Sequence, residues 1–232
     1  MITPPIDSSA VRWSVPRDEV ASALANRPLL IMMHGYGSNE GDLFSLAQFL
    51  PSEFVVASLR GPNASGPGFT WFHIEPDPVT GMISRDIDEV NSSTVSVLAW
   101  LDNLEAEAGE LPRIAVLGFS QGGVMALQLL RHAPERFMAG IVLAGFAVDD
   151  DTQAGIERDA RLAGVLPPVF WARDPHDPVI YQDLVAFTRK WLPEHSNLDA
   201  RLYSNVGHSI SVEEIEDVSE FLRGHSLSVE LA

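Results

Sequence analysis

The stretch that decides the fold is residues 114–127, which read IAVLGFSQGGVMAL. An apolar run typical of a buried strand enters a glycine-rich turn, and a helical pattern follows at once. The turn carries G-x-S-x-G at 118–122, with Ser120 at its centre. In this strand–turn–helix setting the pattern predicts a tight turn that raises a nucleophilic serine hydroxyl above the sheet. A turn that only joins strand to helix is the alternative. Phosphate binding is disfavoured because the G-K-[ST] ending is absent.

Short apolar runs alternate with amphipathic segments on both sides of this stretch. The predicted strands are 28–33, 53–59, 113–117, 139–143, 168–171 and 200–203, with 10–15 as an antiparallel edge strand. The predicted helices are 86–108, 122–132, 180–191 and 212–222. This alternation predicts an α/β protein with a mostly parallel central sheet and helices on both faces. The length of 232 residues fits a single domain, 1–232.

Composition excludes several classes of function. The chain has 32 acidic and 15 basic residues, and its formal charge of −17 disfavours binding to nucleic acid or anionic lipid. It has no cysteine, so disulfides, cysteine nucleophiles and cysteine-based metal sites are excluded. No apolar stretch suits a membrane span, and the first residues do not resemble a signal peptide. We therefore expect a soluble, cytoplasmic protein without stable membrane insertion.

A serine nucleophile requires a base and an acid that orients the base. Among the histidines that follow Ser120, His208 is the best base because it lies in a loop between a predicted strand and the last helix. The acid is expected after the strand 168–171, at the carboxyl edge of the sheet where catalytic groups gather. Asp174 and Asp177 both lie there, and spacing alone does not decide between them. Either could also be a turn-forming aspartate before proline.

Two backbone amides should bind the negative oxygen that forms in the reaction. One is the amide of Gln121, directly after the nucleophile. The other is assigned to Tyr36, in the loop that reads HGYG at 34–37 after an early strand. His34 is expected to brace this loop instead of transferring protons.

The irregular stretch 60–85 is rich in glycine and proline and carries several aromatic residues. A loop of this length in a compact domain often has a function. Trp71 and Phe72 are therefore candidate pocket residues. A hydrophobic cluster without substrate contact is an equally good interpretation.

At this point the sequence resembles the phospholipase/carboxylesterase family, which includes acyl-protein thioesterases. The segments that carry the resemblance are 30–37, 60–62, 71–74, GFSQGG at 118–123, DPVI at 177–180 and the pair at 207–208, in the order of the family. The resemblance implies an α/β-hydrolase fold, Asp177 as the acid, Tyr36 and Gln121 as the oxyanion donors, and a homodimer. No stretch of the chain is long enough for a separate lid domain, so none is expected. The chain departs from the family in the acid loop, which reads ARDPHD at 172–177 where a glycine commonly begins it and so leaves Asp174 as an alternative acid. It also departs where Tyr36 replaces a frequent leucine.

The predicted function is that of a serine carboxylesterase acting on small to medium acyl esters, with no metal and no organic cofactor. The partner expected is a small-molecule ester. An acyl thioesterase or a lysophospholipase is the close alternative, because the resemblance permits either. A non-catalytic ligand-binding protein that keeps the fold is the alternative from another class.

Overall fold

The computed structural model of the chain describes residues 3–76, 83–84, 86–111 and 113–227. The strands in these residues are β1 (Arg12–Trp13), β2 (Leu29–Met33), β3 (Val55–Leu59), β4 (Asn63–Ser65), β5 (Gly68–Thr70), β6 (Glu75–Pro76), β7 (Ile83–Ser84), β8 (Ile114–Phe119), β9 (Ala139–Leu143), β10 (Pro168–Arg173) and β11 (Asn197–Leu202). The α-helices are α1 (Val20–Leu24), α2 (Ile87–Ala108), α3 (Gln121–His132), α4 (Gln153–Val165), α5 (Gln182–His195) and α6 (Val212–Leu227). Short 3-10 helices cover Arg17–Glu19, Leu43–Phe49 and Pro134–Arg136.

A seven-stranded sheet has the order β1-β3-β2-β8-β9-β10-β11. Only β1 is antiparallel to its neighbour, and the other adjacent strands are parallel. The carboxyl ends of β8, β10 and β11 therefore point to the same edge of the sheet. The loops that follow these three strands carry the predicted nucleophile, acid and base.

Apolar side chains fill both faces of the sheet because successive residues of a strand point to opposite sides. In β2, all five residues are buried: Leu29, Ile31 and Met33 join one hydrophobic cluster, whereas Leu30 and Met32 join another. The first cluster includes side chains from α1 to α5, and the second includes α6 and the 3-10 helix Leu43–Phe49. The prediction of a mostly parallel sheet with helices on both faces is confirmed.

Some predicted boundaries differ from the structure. The last strand begins at Asn197 instead of residue 200, because this edge strand is only partly buried and alternates polar with apolar residues. The helix predicted from residue 180 begins at Gln182, since the Ile180 amide donates to the Asp177 carboxylate. Helix α4 was not predicted, as it buries only Gly155 and Leu162 and so has a weak apolar pattern.

The irregular stretch 60–85 contains the antiparallel hairpin β4–β5, with Asn63 opposite Thr70. Residues 77–82 and 85 of this stretch lie outside the described residues. In the part of the chain that the structure describes, no helix is both long enough and apolar enough to span a bilayer.

Candidate active site

Ser120 lies in a sterically tight turn between β8 and α3. Its φ of 54° and ψ of −116° are a backbone conformation that residues with a side chain rarely adopt. The Ser120 amide donates to the Leu143 carbonyl at 2.8 Å, which ties the turn to β9. A Cβ atom on Gly122 would lie 1.9 Å from the Met33 carbonyl oxygen, and one on Gly118 would lie 1.9 Å from that of Gly122. Both positions therefore require glycine for the close approach of strand and helix.

His208 joins the serine turn to the acid loop. Its Nε2 accepts from the Ser120 hydroxyl at 3.0 Å, and its Nδ1–H donates to Asp177 Oδ2 at 2.7 Å. The imidazole packs against the Phe119 ring, with ring centroids 4.9 Å apart. This chain of contacts fixes the tautomer: Nδ1 carries the proton, which leaves the Nε2 lone pair directed at the hydroxyl.

The Asp177 carboxylate is held by its own loop as well as by the imidazole. Its Oδ1 accepts from the amides of Val179 at 2.8 Å and Ile180 at 3.3 Å, and its side chain is 3% exposed. Of the two aspartates that the spacing left open, Asp177 is the one that hydrogen-bonds to the His208 imidazole in the described structure. Asp174 instead accepts hydrogen bonds from backbone amides.

Tyr36, in the loop after β2, and Gln121, directly after the nucleophile, both line the cavity at Ser120. Gly35 passes against the nucleophile turn, since a Cβ added to it would lie 3.5 Å from Ser120 Cβ. Gln121 is the first residue of α3, where unpaired N–H groups favour negative charge. Within the described ranges, neither amide donates to another protein group. Both are therefore free to bind an oxygen of a ligand.

The Gln121 side chain has a second set of contacts, below the serine. Its Nε2 donates to the Phe72 carbonyl at 2.6 Å. Its Oε1 accepts from the Trp71 amide at 2.9 Å and lies 2.8 Å from the Thr70 hydroxyl oxygen. The residue that begins α3 thus anchors the segment 70–72 beside the site. The sequence did not predict this buried amide group as an anchor.

His34 is fully buried and acts as a brace. Its Nδ1–H donates to the Gly35 carbonyl at 2.7 Å, and its Nε2 accepts from the Gly61 amide at 2.9 Å. Burial lowers the pKa of His34, which keeps the imidazole neutral at physiological pH. These contacts agree with the structural role expected for this histidine.

A cavity of about 450 Å³ opens above Ser120. Most of the described side chains around it are apolar or aromatic, and its lining comprises Gly35, Tyr36, Ser38, Asp42, Phe72, Ile74, Phe119, Ser120, Gln121, Phe146, Val179, Ile180, Tyr181, Leu184 and His208. Phe146 and Leu184 were not predicted. Phe146 lies in the loop directly after β9, so the rule that sites form at carboxyl ends of parallel strands could have found it.

Trp71 corrects one sequence prediction. It was a candidate pocket residue together with Phe72, but only Phe72 contributes to the cavity lining. The Trp71 side chain is fully buried, and its indole N–H donates to the His34 carbonyl at 2.8 Å. Trp71 therefore packs behind the residues that line the cavity. Its side chain is held there because the buried indole N–H requires a hydrogen-bond acceptor.

No cluster of three or more histidine, aspartate or glutamate side chains suited to a metal ion occurs in the described part of the chain. Ser120 and His208 place a hydroxyl and an imidazole in hydrogen-bonding contact at the cavity. The arrangement can transfer a proton from a hydroxyl to an imidazole and can bind a developing negative charge.

A strand–serine–helix turn at the carboxyl edge of this sheet, with an imidazole and a carboxylate in line, defines an α/β-hydrolase. The sequence pattern of the Phospholipase/Carboxylesterase family matches residues 19–226. The chain therefore belongs to the phospholipase/carboxylesterase family, and it is a serine hydrolase that acts on carboxylic esters. The family predicted from the sequence is thereby confirmed.

Several proteins similar to this chain in sequence or in fold are named as carboxylesterases or thioesterases. A probable carboxylesterase of Oryza sativa subsp. japonica is 26% identical over 91% of this chain and 82% of its own length. Acyl-protein thioesterase 1 of Saccharomyces cerevisiae is 26% identical over 85% of this chain and 92% of its own length. The crystal structure of a Bacillus cereus carboxylesterase superposes with a TM-score of 0.73 at 22% identity, covering 93% of each chain, and supports the fold.

Proposed function

We propose that this protein is a carboxylesterase that hydrolyses small to medium acyl esters through Ser120, His208 and Asp177 and an acyl-enzyme intermediate. The observation that carries the proposal is the unbroken line of contacts from the Ser120 hydroxyl through His208 to Asp177. A serine hydroxyl is a weak nucleophile until a base accepts its proton, and this line supplies one. No metal or organic cofactor is required for the reaction.

In the first half of the reaction, Ser120 Oγ attacks the ester carbonyl while His208 Nε2 takes the hydroxyl proton. The amides of Tyr36 and Gln121 donate to the oxyanion of the tetrahedral intermediate. Asp177 stabilises the imidazolium through the 2.7 Å bond at Nδ1. His208 then gives its proton to the leaving alcohol oxygen as the carbon–oxygen bond breaks.

In the second half, water replaces the alcohol. His208 takes one proton of the water as its oxygen attacks the acyl carbon of the ester on Ser120. The intermediate collapses when His208 returns that proton to Ser120 Oγ, which releases the carboxylic acid and restores the hydroxyl.

The cavity supports acyl groups of small to medium size. Its volume of about 450 Å³ lies toward the lower end of the range of ligand pockets, which is about 300–1,000 Å³. The cavity has apolar walls against which a hydrocarbon chain can pack, formed in part by Phe72, Phe146, Ile180 and Leu184.

The experiment that tests the proposal is hydrolysis of a series of p-nitrophenyl esters whose acyl chains have about two to sixteen carbons, because each added methylene changes how well the chain fits the pocket. We expect turnover to be highest with short or medium chains. Ser120→Ala should lose on the order of 10⁴-fold or more in kcat. Ser204→Ala, which changes an exposed serine in the loop before His208, is the control that should keep wild-type turnover. Wild-type turnover in Ser120→Ala would refute the mechanism.

An acyl thioesterase is the second candidate, favoured by the yeast relative named acyl-protein thioesterase 1. A lysophospholipase is the alternative that the resemblance to the family permits. The same acyl-transfer steps would serve a thioester, in which the leaving group is a thiol. Matched oxygen esters and thioesters with one acyl chain, assayed beside lysolipids, distinguish these activities. A kcat/KM that is highest for the thioester or the lysolipid would replace the carboxylesterase assignment.

A ligand-binding protein without catalysis is disfavoured by the complete set of Ser120, His208 and Asp177. A fluorophosphonate probe that failed to label Ser120 would support it. The cytoplasmic location and the homodimer remain predictions from the sequence.

A further inference from the structure

Asp174 is a buried carboxylate in the acid loop that the proposed mechanism does not use. It follows directly after β10, and its side chain is only 3% exposed. Its oxygens accept three backbone hydrogen bonds, from the amides of His176 at 2.7 Å, Val206 at 2.7 Å and Gly207 at 2.8 Å. These donors hold the pKa of Asp174 below its ordinary value, so the carboxylate is ionised at neutral pH.

The two oxygens of Asp174 serve different loops. Oδ1 accepts from His176, within the acid loop, and so shapes the turn that leads to Asp177. Oδ2 accepts from Val206 and Gly207, which immediately precede His208 in the loop after β11. A single side chain therefore contacts the backbone of both loops that carry the acid and the base.

The pairing of β10 with β11 ends before these two loops and does not by itself fix the distance between Asp177 and His208. β10 and β11 are parallel neighbours as far as Arg173 opposite Leu202, and the Tyr203 amide still donates to the Arg173 carbonyl at 3.1 Å. Beyond that point the described residues show two kinds of hydrogen bond between the loops. One kind comes from Asp174 Oδ2, and the other is the His208–Asp177 bond.

The carboxylate is not explained by an ion pair. In its own loop, the His176 Nδ1 lies 4.0 Å from Asp174 Oδ1, at the limit for an ion pair, and the His176 side chain is 91% exposed. Arg173 donates to the Asp174 backbone carbonyl at 3.1 Å, not to its carboxylate. The partners of the side chain are therefore main-chain amides whose positions determine the course of the loops.

We propose that Asp174 is a positioning residue for this reaction, because it sets the distance and orientation between Asp177 and His208 by holding both loops. The inference rests on the proposed catalytic roles of these two residues. Catalysis is sensitive to such placement, since a shift of about 1 Å at reacting groups can lower the rate about 10²-fold. Substrate binding in the cavity should be much less affected.

The test compares Asp174→Ala with Asp174→Asn. Both variants remove the negative charge, but asparagine keeps one carbonyl oxygen that can accept from Val206 and Gly207, whereas alanine removes every acceptor. We expect Asp174→Ala to lose on the order of 10²-fold in kcat with little change in KM. Asp174→Asn should lose less than alanine, again in kcat. Asp183→Asn, at an exposed position of α5, is the matched charge control and should be unchanged.

Three outcomes would overturn the proposal. The first is an Asp174→Ala kcat within about twofold of the Asp183→Asn value. The second is an equal loss in the alanine and asparagine variants, which would assign the effect to charge. The third is a loss confined to KM. Thermal unfolding of each variant establishes that it is folded. If alanine does not fold, Asp174→Glu decides, because it keeps the negative charge but displaces both acceptor oxygens: a lower kcat at unchanged KM supports the proposal, and a wild-type kcat overturns it.

Failure of this inference differs from failure of the proposed function. Ser120→Ala is assayed in the same series. Turnover that persists without the Ser120 hydroxyl refutes the proposed mechanism itself. Turnover that depends on Ser120 but is insensitive to Asp174 refutes only the positioning role.

Discussion

The nucleophile turn and the paired loops of the acid and base are constructed by different means. The turn around Ser120 is fixed by steric contacts of the backbone, with Gly118 and Gly122 pressed against carbonyl oxygens at distances that no side chain tolerates. The loops around Asp177 and His208 are held by carboxylates that accept backbone amides 2 to 33 positions away in the chain. The nucleophile turn is therefore fixed by close steric packing, and the loops of the acid and base are fixed by hydrogen bonds.

This difference explains which parts of the site could be predicted. The steric restrictions fall on residues of one short turn, 118–122, even where the contact is with Met33 of β2, so the glycines and the serine leave a short pattern that decided the fold. Hydrogen bonds between loops leave no such pattern, because the partners of Asp174 are amides that any residue other than proline provides. The residues alone could therefore not choose between Asp174 and Asp177.

The largest effect should come from breaking the hydrogen-bonded region at Asp177. Asp177→Asn keeps an oxygen for the Val179 amide but no longer fixes the His208 tautomer or stabilises the imidazolium. We expect kcat to fall on the order of 10⁴-fold with the fold intact. Steady-state kinetics with a p-nitrophenyl ester measure the loss, and circular dichroism checks the fold. A loss of less than about tenfold would contradict the role of this carboxylate.

The next effect should come from filling space in the steric region. In Gly122→Ala the new Cβ meets the Met33 carbonyl oxygen, a backbone atom that cannot move alone. We expect the free energy of unfolding to fall by about 3 kcal/mol, the upper end of the cost that is typical of overpacked cores. Urea denaturation measures it.

Gly164→Ala in α4 is the matched control for this substitution, since nothing lies within 4 Å of the added Cβ. Alanine there should be neutral or stabilising by up to about 1 kcal/mol, because glycine is a poor helix former. Equal stabilities of the two alanine variants would show that the turn around Gly122 is not sterically restricted.

The smallest effect concerns the helix that follows His208. The Glu214 amide donates to the Ser211 hydroxyl at 3.0 Å, and the Glu214 carboxylate accepts from the Ser211 amide at 3.4 Å, which is a capping box at the start of α6. Burial raises the pKa of Glu214 from 4.5 to about 7. The folded state therefore favours the protonated carboxyl, and stability is lost as pH rises from about 4.5 to about 7.

Glu214→Gln keeps the capping contact and removes this titration. Relative to wild type, the glutamine variant should gain unfolding free energy between pH 5 and pH 8, by at most about 3 kcal/mol at about 1.4 kcal/mol per pKa unit. Urea denaturation at the two pH values measures the gain. A difference between the proteins that does not change with pH would contradict the raised pKa.

The pocket was the part of the site that the sequence predicted least well. The aromatic residues in the stretch 60–85 indicated that this stretch lines the cavity, but they did not indicate which ring faces it. Phe72 lines it, whereas Trp71 turns inward because its indole N–H bonds to the His34 carbonyl. The position of Phe146 after β9 was a usable signal, but it was missed because a single aromatic residue has no distinctive local pattern. Orientation of side chains depends on tertiary partners that the local sequence does not specify.

The anchoring of segment 70–72 by the Gln121 side chain has a consequence for engineering the acyl-chain preference. The cavity wall at Phe72 is hydrogen-bonded to the side chain of Gln121, whose backbone amide is the proposed oxyanion donor. Reshaping that wall therefore also disturbs the donor. Leu184 lines the cavity from α5, and none of its described hydrogen bonds involves Gln121. Mutant libraries aimed at longer or bulkier acyl groups should therefore vary Leu184 and leave Phe72 unchanged.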